Sequence, residues 1–99
     1  MAVFNLSGKW KCNDNGMYYI RQVGEEVMWQ GELSAVNPGW CNVAVGSIGG
    51  GNLVLRWMDV PKGVNLSEGI LVLKISPDGK KLTAVTREGG FGGSEWTKL

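Results

Sequence analysis

Sixteen glycines and three prolines are spread along this chain as punctuation, and they limit it to short elements. The runs between them are rich in Val, Leu, Ile, Trp and Tyr, and none keeps a helical period. Short, evenly spaced runs bounded by turn residues predict an all-β chain. Eight strands are expected, at 8–13, 17–23, 26–33, 41–48, 52–59, 69–76, 81–87 and 93–98. No internal repeat and no low-complexity linker interrupts them, so residues 1–99 read as one domain.

Turn chemistry sets the register, and the register decides which side chains share a face. Asp14-Asn15-Gly16 suits a three-residue hairpin loop with Gly16 left-handed, pairing Cys12 with Tyr18 and Trp10 with Ile20. Gly24-Glu25 suits a two-residue turn that pairs Gln22 with Val27, Ile20 with Trp29 and Tyr18 with Gly31. Together the two hairpins gather Trp10, Cys12, Tyr18, Ile20, Gln22, Val27 and Trp29 on one face. Lys9, Lys11, Tyr19, Arg21, Glu26, Met28 and Gln30 fall on the other, with Arg21 beside Glu26 or stacked on Tyr19. A turn at Gly50-Gly51 pairs Ile48 with Leu53, Gly46 with Leu55, Ala44 with Trp57 and Asn42 with Asp59, so small residues meet large ones. Pro77-Asp78-Gly79-Lys80 pairs Ile75 with Leu82, Leu73 with Ala84 and Leu71 with Thr86, leaving Val85 and Arg87 outside.

Tight connections at 24–25, 49–51 and 77–80 alternate with mostly longer ones at 14–16, 34–40, 60–68 and 88–93. In an up-and-down meander all the tight turns fall at one end. The expected fold is therefore an eight-stranded antiparallel up-and-down meander barrel with an apolar base and a polar-rimmed mouth. Trp10 and Trp96 are expected as neighbours in the base, with Lys98 over one of them as a cation–π lid. The interior of such a barrel is either filled by side chains or wide enough for one small ligand.

Charge and residue usage narrow the function. Ten basic and nine acidic residues leave a net charge of +1, without the concentrated positive patch that nucleic acid or an anionic membrane requires. The chain has no histidine, which removes the commonest general base and the commonest zinc ligand. Two cysteines alone do not complete a structural zinc site. Gly89-Gly90-Phe91-Gly92-Gly93 lacks the strand–loop–helix setting of a phosphate-binding loop, and no cofactor is expected. No charged leader and no membrane-length apolar run is present, so a cytoplasmic protein is expected. Cys12 and Cys41 are then reduced, buried thiols, a bridge between them being the alternative.

At Leu6-Ser7-Gly8-Lys9-Trp10 the chain resembles the calycins, the group that holds the lipocalins, the fatty-acid-binding proteins and the avidins. In calycins a Gly-x-Trp on the first strand and a basic residue on the last close one end of a meander barrel. The matching positions here are Gly8, Trp10 and Lys98. The resemblance spans the chain as a pattern and two short motifs as residues. It implies the barrel and a habit of holding small ligands. It does not carry biotin binding: Cys12 stands where avidins have a contacting asparagine, and Tyr18 where a serine is expected. The lipocalins' C-terminal helix and threonine-aspartate-tyrosine motif have no counterpart here.

The expected function is a non-enzymatic barrel that binds a compact, partly apolar small molecule or a sugar. Tyr18, Trp29, Asn42, Trp57, Asp59 and Thr86 would line its pocket, with Trp40 and Phe91 as gates. Trp29 and Trp57, midway along the inward face, either pack the core or stack on the ligand. Trp40, in Asn37-Pro38-Gly39-Trp40, either stacks on the ligand or folds down as a lid. Phe91 either rides a flap or belongs to a loose connection. The alternative function is a filled barrel that pairs with a second copy, as a homodimer, or with another protein. Its contact strip would be Tyr19, Met28, Val43, Val45, Val54, Met58, Val72 and Val85. Asp59 and Glu88 are the carboxylates expected nearest the mouth interior, but no nucleophile has an activating partner, so no enzyme is expected.

Overall fold

A computed structural model describes residues 5–34, 36 and 38–99. Eight antiparallel strands follow one another round a closed barrel. They are β1 (Gly8–Cys12), β2 (Met17–Val23), β3 (Glu26–Glu32), β4 (Cys41–Gly49), β5 (Asn52–Asp59), β6 (Glu68–Ile75), β7 (Lys81–Arg87) and β8 (Glu95–Lys98). β8 pairs with β7 on one side and β1 on the other, so no sheet edge is left open. The strands alternate as a half-buried sheet must: along β5, Leu53, Leu55 and Trp57 are buried while Val54, Arg56 and Met58 are exposed. All eight expected strands are present. β8 starts later than expected because the Ser94 amide leaves the ladder and donates to Asn13 Oδ1 at 2.9 Å.

The β2–β3 and β4–β5 hairpins take the expected registers. Gly50 and Gly51 both sit in the left-handed region, at φ 61° and 81°, the combination a two-residue type I′ turn needs. The β1–β2 hairpin differs by one step of two residues. Trp10 faces Tyr18 and Gly8 faces Ile20. Its loop is 13–15, and Asn15, not Gly16, takes the left-handed position at φ 70°. Asn tolerates that conformation, and the Gly16 amide is drawn to Asp14 Oδ1 at 2.8 Å. A shift of two keeps side-chain parity, so the inward face is unchanged.

The β6–β7 pairing also departs from expectation. Ile75 faces Leu82 and Leu73 faces Ala84, but a bulge beyond Leu73 then sets Val72 opposite Thr86 and Leu71 opposite Arg87. The extra residue flips the parity of the strand end. Thr86 is therefore exposed on the outside, and Arg87 occupies the register position expected for Thr86.

The base is closed by Trp10, which is fully buried and donates from Nε1 to the Leu6 carbonyl at 2.8 Å. Lys98 faces Trp10 across the β1–β8 seam. Its stem runs past Gly8, where an added Cβ would lie 3.2 Å from Lys98 Cε. Its ammonium donates to the Asn5 carbonyl at 2.7 Å, so Lys98 closes the base through a carbonyl and not over a ring. Trp96 lies one register step nearer the mouth, opposite Cys12. Its ring centroid is 5.5 Å from Trp29 and 5.8 Å from both Tyr18 and Phe91. Among the described residues no aromatic ring is paired with Trp10. Trp96 thus belongs to the centre of the core, not the base, because the four-residue β8 is registered by Lys11 opposite Thr97. With Tyr18, Trp29, Leu55, Leu71 and Trp96 all buried, the interior is filled.

Candidate functional site

Packing the barrel with aromatics leaves its mouth as a cleft of about 550 Å³. Strand ends supply Asn42 from β4 and Trp57 and Asp59 from β5. All four connections at this end add to the lining: Asp14 from the β1–β2 loop, Trp40 before β4, 64–67 before β6, and 90–92 before β8. The long-loop end of the meander is therefore where an open, mixed surface forms.

Three aromatic side chains wall the cleft. Trp57 and Phe91 meet almost at right angles, 81° apart with centroids 4.8 Å apart, and make a corner. Trp57 is pinned by its Nε1, which donates to the Glu88 carbonyl at 2.9 Å. Phe91 is buried, and its glycine-rich loop is tied from two sides. Arg87 Nη1 donates to the carbonyls of Phe91, Gly92 and Gly93 at 3.4, 3.2 and 3.4 Å. Ser67 Oγ donates to the Gly89 carbonyl at 2.6 Å. The loop is a fastened stopper and not a loose connection. Trp40 is folded down: its indole covers Gly16, where any Cβ would collide with the ring, and its centroid lies 5.9 Å from Tyr18.

Tyr18 and Trp29 are buried and do not belong to the lining, so they brace this surface from beneath. Filling of the interior by Trp96 and Phe91 pushed the opening outward, above them. The Tyr18 hydroxyl donates to Asp14 Oδ2 at 2.6 Å, and Trp29 Nε1 donates to Asn42 Oδ1 at 2.9 Å. Burial, and then the Asp14 charge, push the Tyr18 phenol well above the usual tyrosine range. Of the expected lining residues, Trp40, Asn42, Trp57, Asp59 and Phe91 are brought together, while Thr86 is turned away by the bulge.

Glu88 is exposed and is not part of the lining, so its contribution is the carbonyl that holds Trp57. The second carboxylate at the mouth is Asp14, which sequence reasoning took only for a turn residue. Its position on a mouth loop was the available signal. Asp59 Oδ2 accepts the Ser67 amide at 3.0 Å, and Asp59 N donates back to the Ser67 carbonyl at 2.8 Å. Burial raises the Asp59 carboxyl above its ordinary value, partly offset by that Ser67 N–H. The described ion pairs are Arg56–Glu68, Lys62–Glu32 and Lys81–Glu95, so Asp14 and Asp59 have no cationic partner among the described residues. Among the described residues no Lys or Arg lines the cleft.

Cys12 and Cys41 are both free and buried. Burial is the main cause that pushes the Cys12 thiol up to about 12, far from a reactive thiolate. Among the described residues no three His, Cys, Asp or Glu side chains stand together as a metal ion's ligands.

A second feature lies on the outer wall. Of the strip expected there, Tyr19, Met28, Val45, Val54, Met58 and Val85 are exposed, while Val43 and Val72 are half-buried. Tyr19, Met28, Val43, Val45 and Met58 border a hollow of about 510 Å³, flanked by Arg21 and Arg56. Arg21 points outward but forms no described pair with Glu26.

A scan of the chain against protein-family models, a search of curated proteins and a search of solved structures each found no match.

Proposed function

We propose that this chain is a non-enzymatic binding barrel that takes a compact, partly apolar small molecule at its mouth. The observation that carries the reading is the cleft itself, in which Trp40, Trp57 and Phe91 wall about 550 Å³ with Asn42, Asp59 and Asp14 set among them. Apolar walls with a few placed polar groups are the usual make-up of a ligand site. The filled core beneath fixes the walls, so little order is lost on binding. The closure of the base by Gly8, Trp10 and Lys98 supports a calycin-like kinship, and with it the binding habit. In this reading the protein works in the cytoplasm with its two thiols reduced, needs no cofactor, and has neither nucleic acid nor membrane as its partner.

Tryptophan fluorescence titrated with a library of metabolites and sugars tests the proposal. Saturable quenching that is lost in Trp40→Ala and weakened in Trp57→Phe supports it. A flat response to every class, with both variants folded, sinks it. The outer hollow around Met28, Val45 and Met58 favours a second reading, a self-pairing or protein-binding module. Sedimentation of the native chain beside Val45→Lys tests that reading: a dimer that the variant abolishes would establish it, and a monomer at all concentrations would remove it.

A further inference from the structure

Resting on the binding reading above, we infer that the ligand of the mouth cleft is an organic cation, a small alkylammonium. The cleft combines the two features such a cation needs. Its walls are the indoles of Trp40 and Trp57 and the ring of Phe91, and aromatic faces attract a desolvated ammonium. Among the described residues its charged groups are two carboxylates and no cation.

Topology sets those carboxylates apart. Asp14 sits between β1 and β2 and Asp59 at the end of β5, so in a ring of eight strands they stand on opposite sides of the mouth. A ligand between them meets negative charge from both directions.

Hydrogen bonds hold both carboxylates, but no ion pair among the described residues neutralises either. Asp59 Oδ2 receives one backbone N–H, from Ser67, and Asp14 is anchored by the Gly16 amide and the Tyr18 hydroxyl. Arg87, at the root of the loop that carries Phe91, is turned to the loop carbonyls and does not line the cleft. The raised Asp59 carboxyl fits the same picture, since a bound cation would relieve the burial of its charge. A metal ion is a poorer fit, because aromatic walls offer it no ligands and no third carboxylate or thiolate joins the group among the described residues. A neutral sugar could use the donors of Asn42, Asn65 and Ser67, but it would bring no positive charge to the two carboxylates.

The experiment uses three probes on the intact chain: choline, dimethylbutanol (in which carbon replaces the nitrogen) and glucose. Binding is followed by tryptophan fluorescence and calorimetry at constant ionic strength. Choline is expected to saturate the site and to bind at least about tenfold more tightly than dimethylbutanol, the difference being the charge. Asp59→Asn keeps the acceptor for the Ser67 amide and should weaken choline about tenfold while leaving dimethylbutanol unchanged. Asp14→Asn, checked for folding by near-ultraviolet circular dichroism, should weaken choline in the same sense. Equal binding of choline and its neutral counterpart, or tighter binding of glucose, would overturn the cation inference and leave the binding barrel standing. Silence from all three probes would overturn the cation inference, while the binding barrel stands or falls with the wider library.

Discussion

Trp40 shows how one missing Cβ sets a wall of the mouth cleft. Its indole can lie down only because residue 16 is a glycine. Gly16→Ala should lift the ring off Tyr18 at a stability cost of about 1–2 kcal/mol. Steady-state emission should shift to the red, and an unchanged spectrum would show that Trp40 has another way to pack. Asp59 makes the opposite kind of statement. Its folded carboxyl is raised, so the folded state holds that proton more tightly than the unfolded chain. Native stability then falls as pH climbs from the ordinary aspartate value through the raised one. Asp59→Asn should consequently stabilise the ligand-free chain at pH near neutral, and the difference should vanish in acid, where the native carboxyl is also uncharged. Urea unfolding at both pH values checks this. A variant that is less stable at neutral pH would mean that the charge is satisfied after all.

At the scale of elements, hairpins with strong turn chemistry were legible and the others were not. Gly50-Gly51 demands two left-handed residues, which admits one register. Gly50→Asn should stay within about 0.5 kcal/mol of the parent, since Asn is at home in that turn, while Gly50→Val should cost about 1–2 kcal/mol. Chemical denaturation midpoints distinguish them, and equal losses in both would argue against the type I′ geometry. Asp14-Asn15-Gly16 offered two left-handed candidates in a row; Asn15 takes that position while the Gly16 amide bonds Asp14, and Gly16 is needed instead for the room it leaves Trp40. The bulge beyond Leu73 coincides with a break in Lys81–Arg87: polar and apolar residues alternate as far as Ala84, and the apolar neighbours Ala84-Val85 interrupt the pattern where the register shifts. It is explained by what lies beyond the strand: displaced by one residue, Arg87 reaches three carbonyls of the loop that carries Phe91.

For the whole molecule, the closed core couples burial to pH. Cys12 is pushed from the ordinary 9.0 up to about 12, chiefly by burial, and Tyr18 is raised well above 10.0 for the same first reason. Both groups keep their protons in the folded barrel at pH values where the unfolded chain releases them. The folded state therefore binds more protons above pH 9.0, and stability must fall as pH rises from there. Melting temperatures between pH 8 and 11 should decline steadily from about pH 9. Tyr18→Phe should flatten the upper part of the fall, and a level curve in the native chain would contradict the burial of both groups. In the same range Cys12 should resist thiol reagents until the barrel opens.

What the chain determined alone was parity and punctuation. Which residues face in depends on a period of two between neighbours, and where strands stop depends on turn residues beside them. Both are local, so the eight strands, the meander and the inward set from Trp10 to Trp57 were all readable. Depth along the barrel was not. Whether an inward aromatic ends in the base, the core or the mouth depends on register between strands such as β1 and β8, which lie at opposite ends of the chain. It depends also on how much volume the other rings have already taken. That is why Trp96 belongs with Tyr18 and Trp29, why those two were displaced from the lining, and why Asp14 came to share the mouth with Asp59.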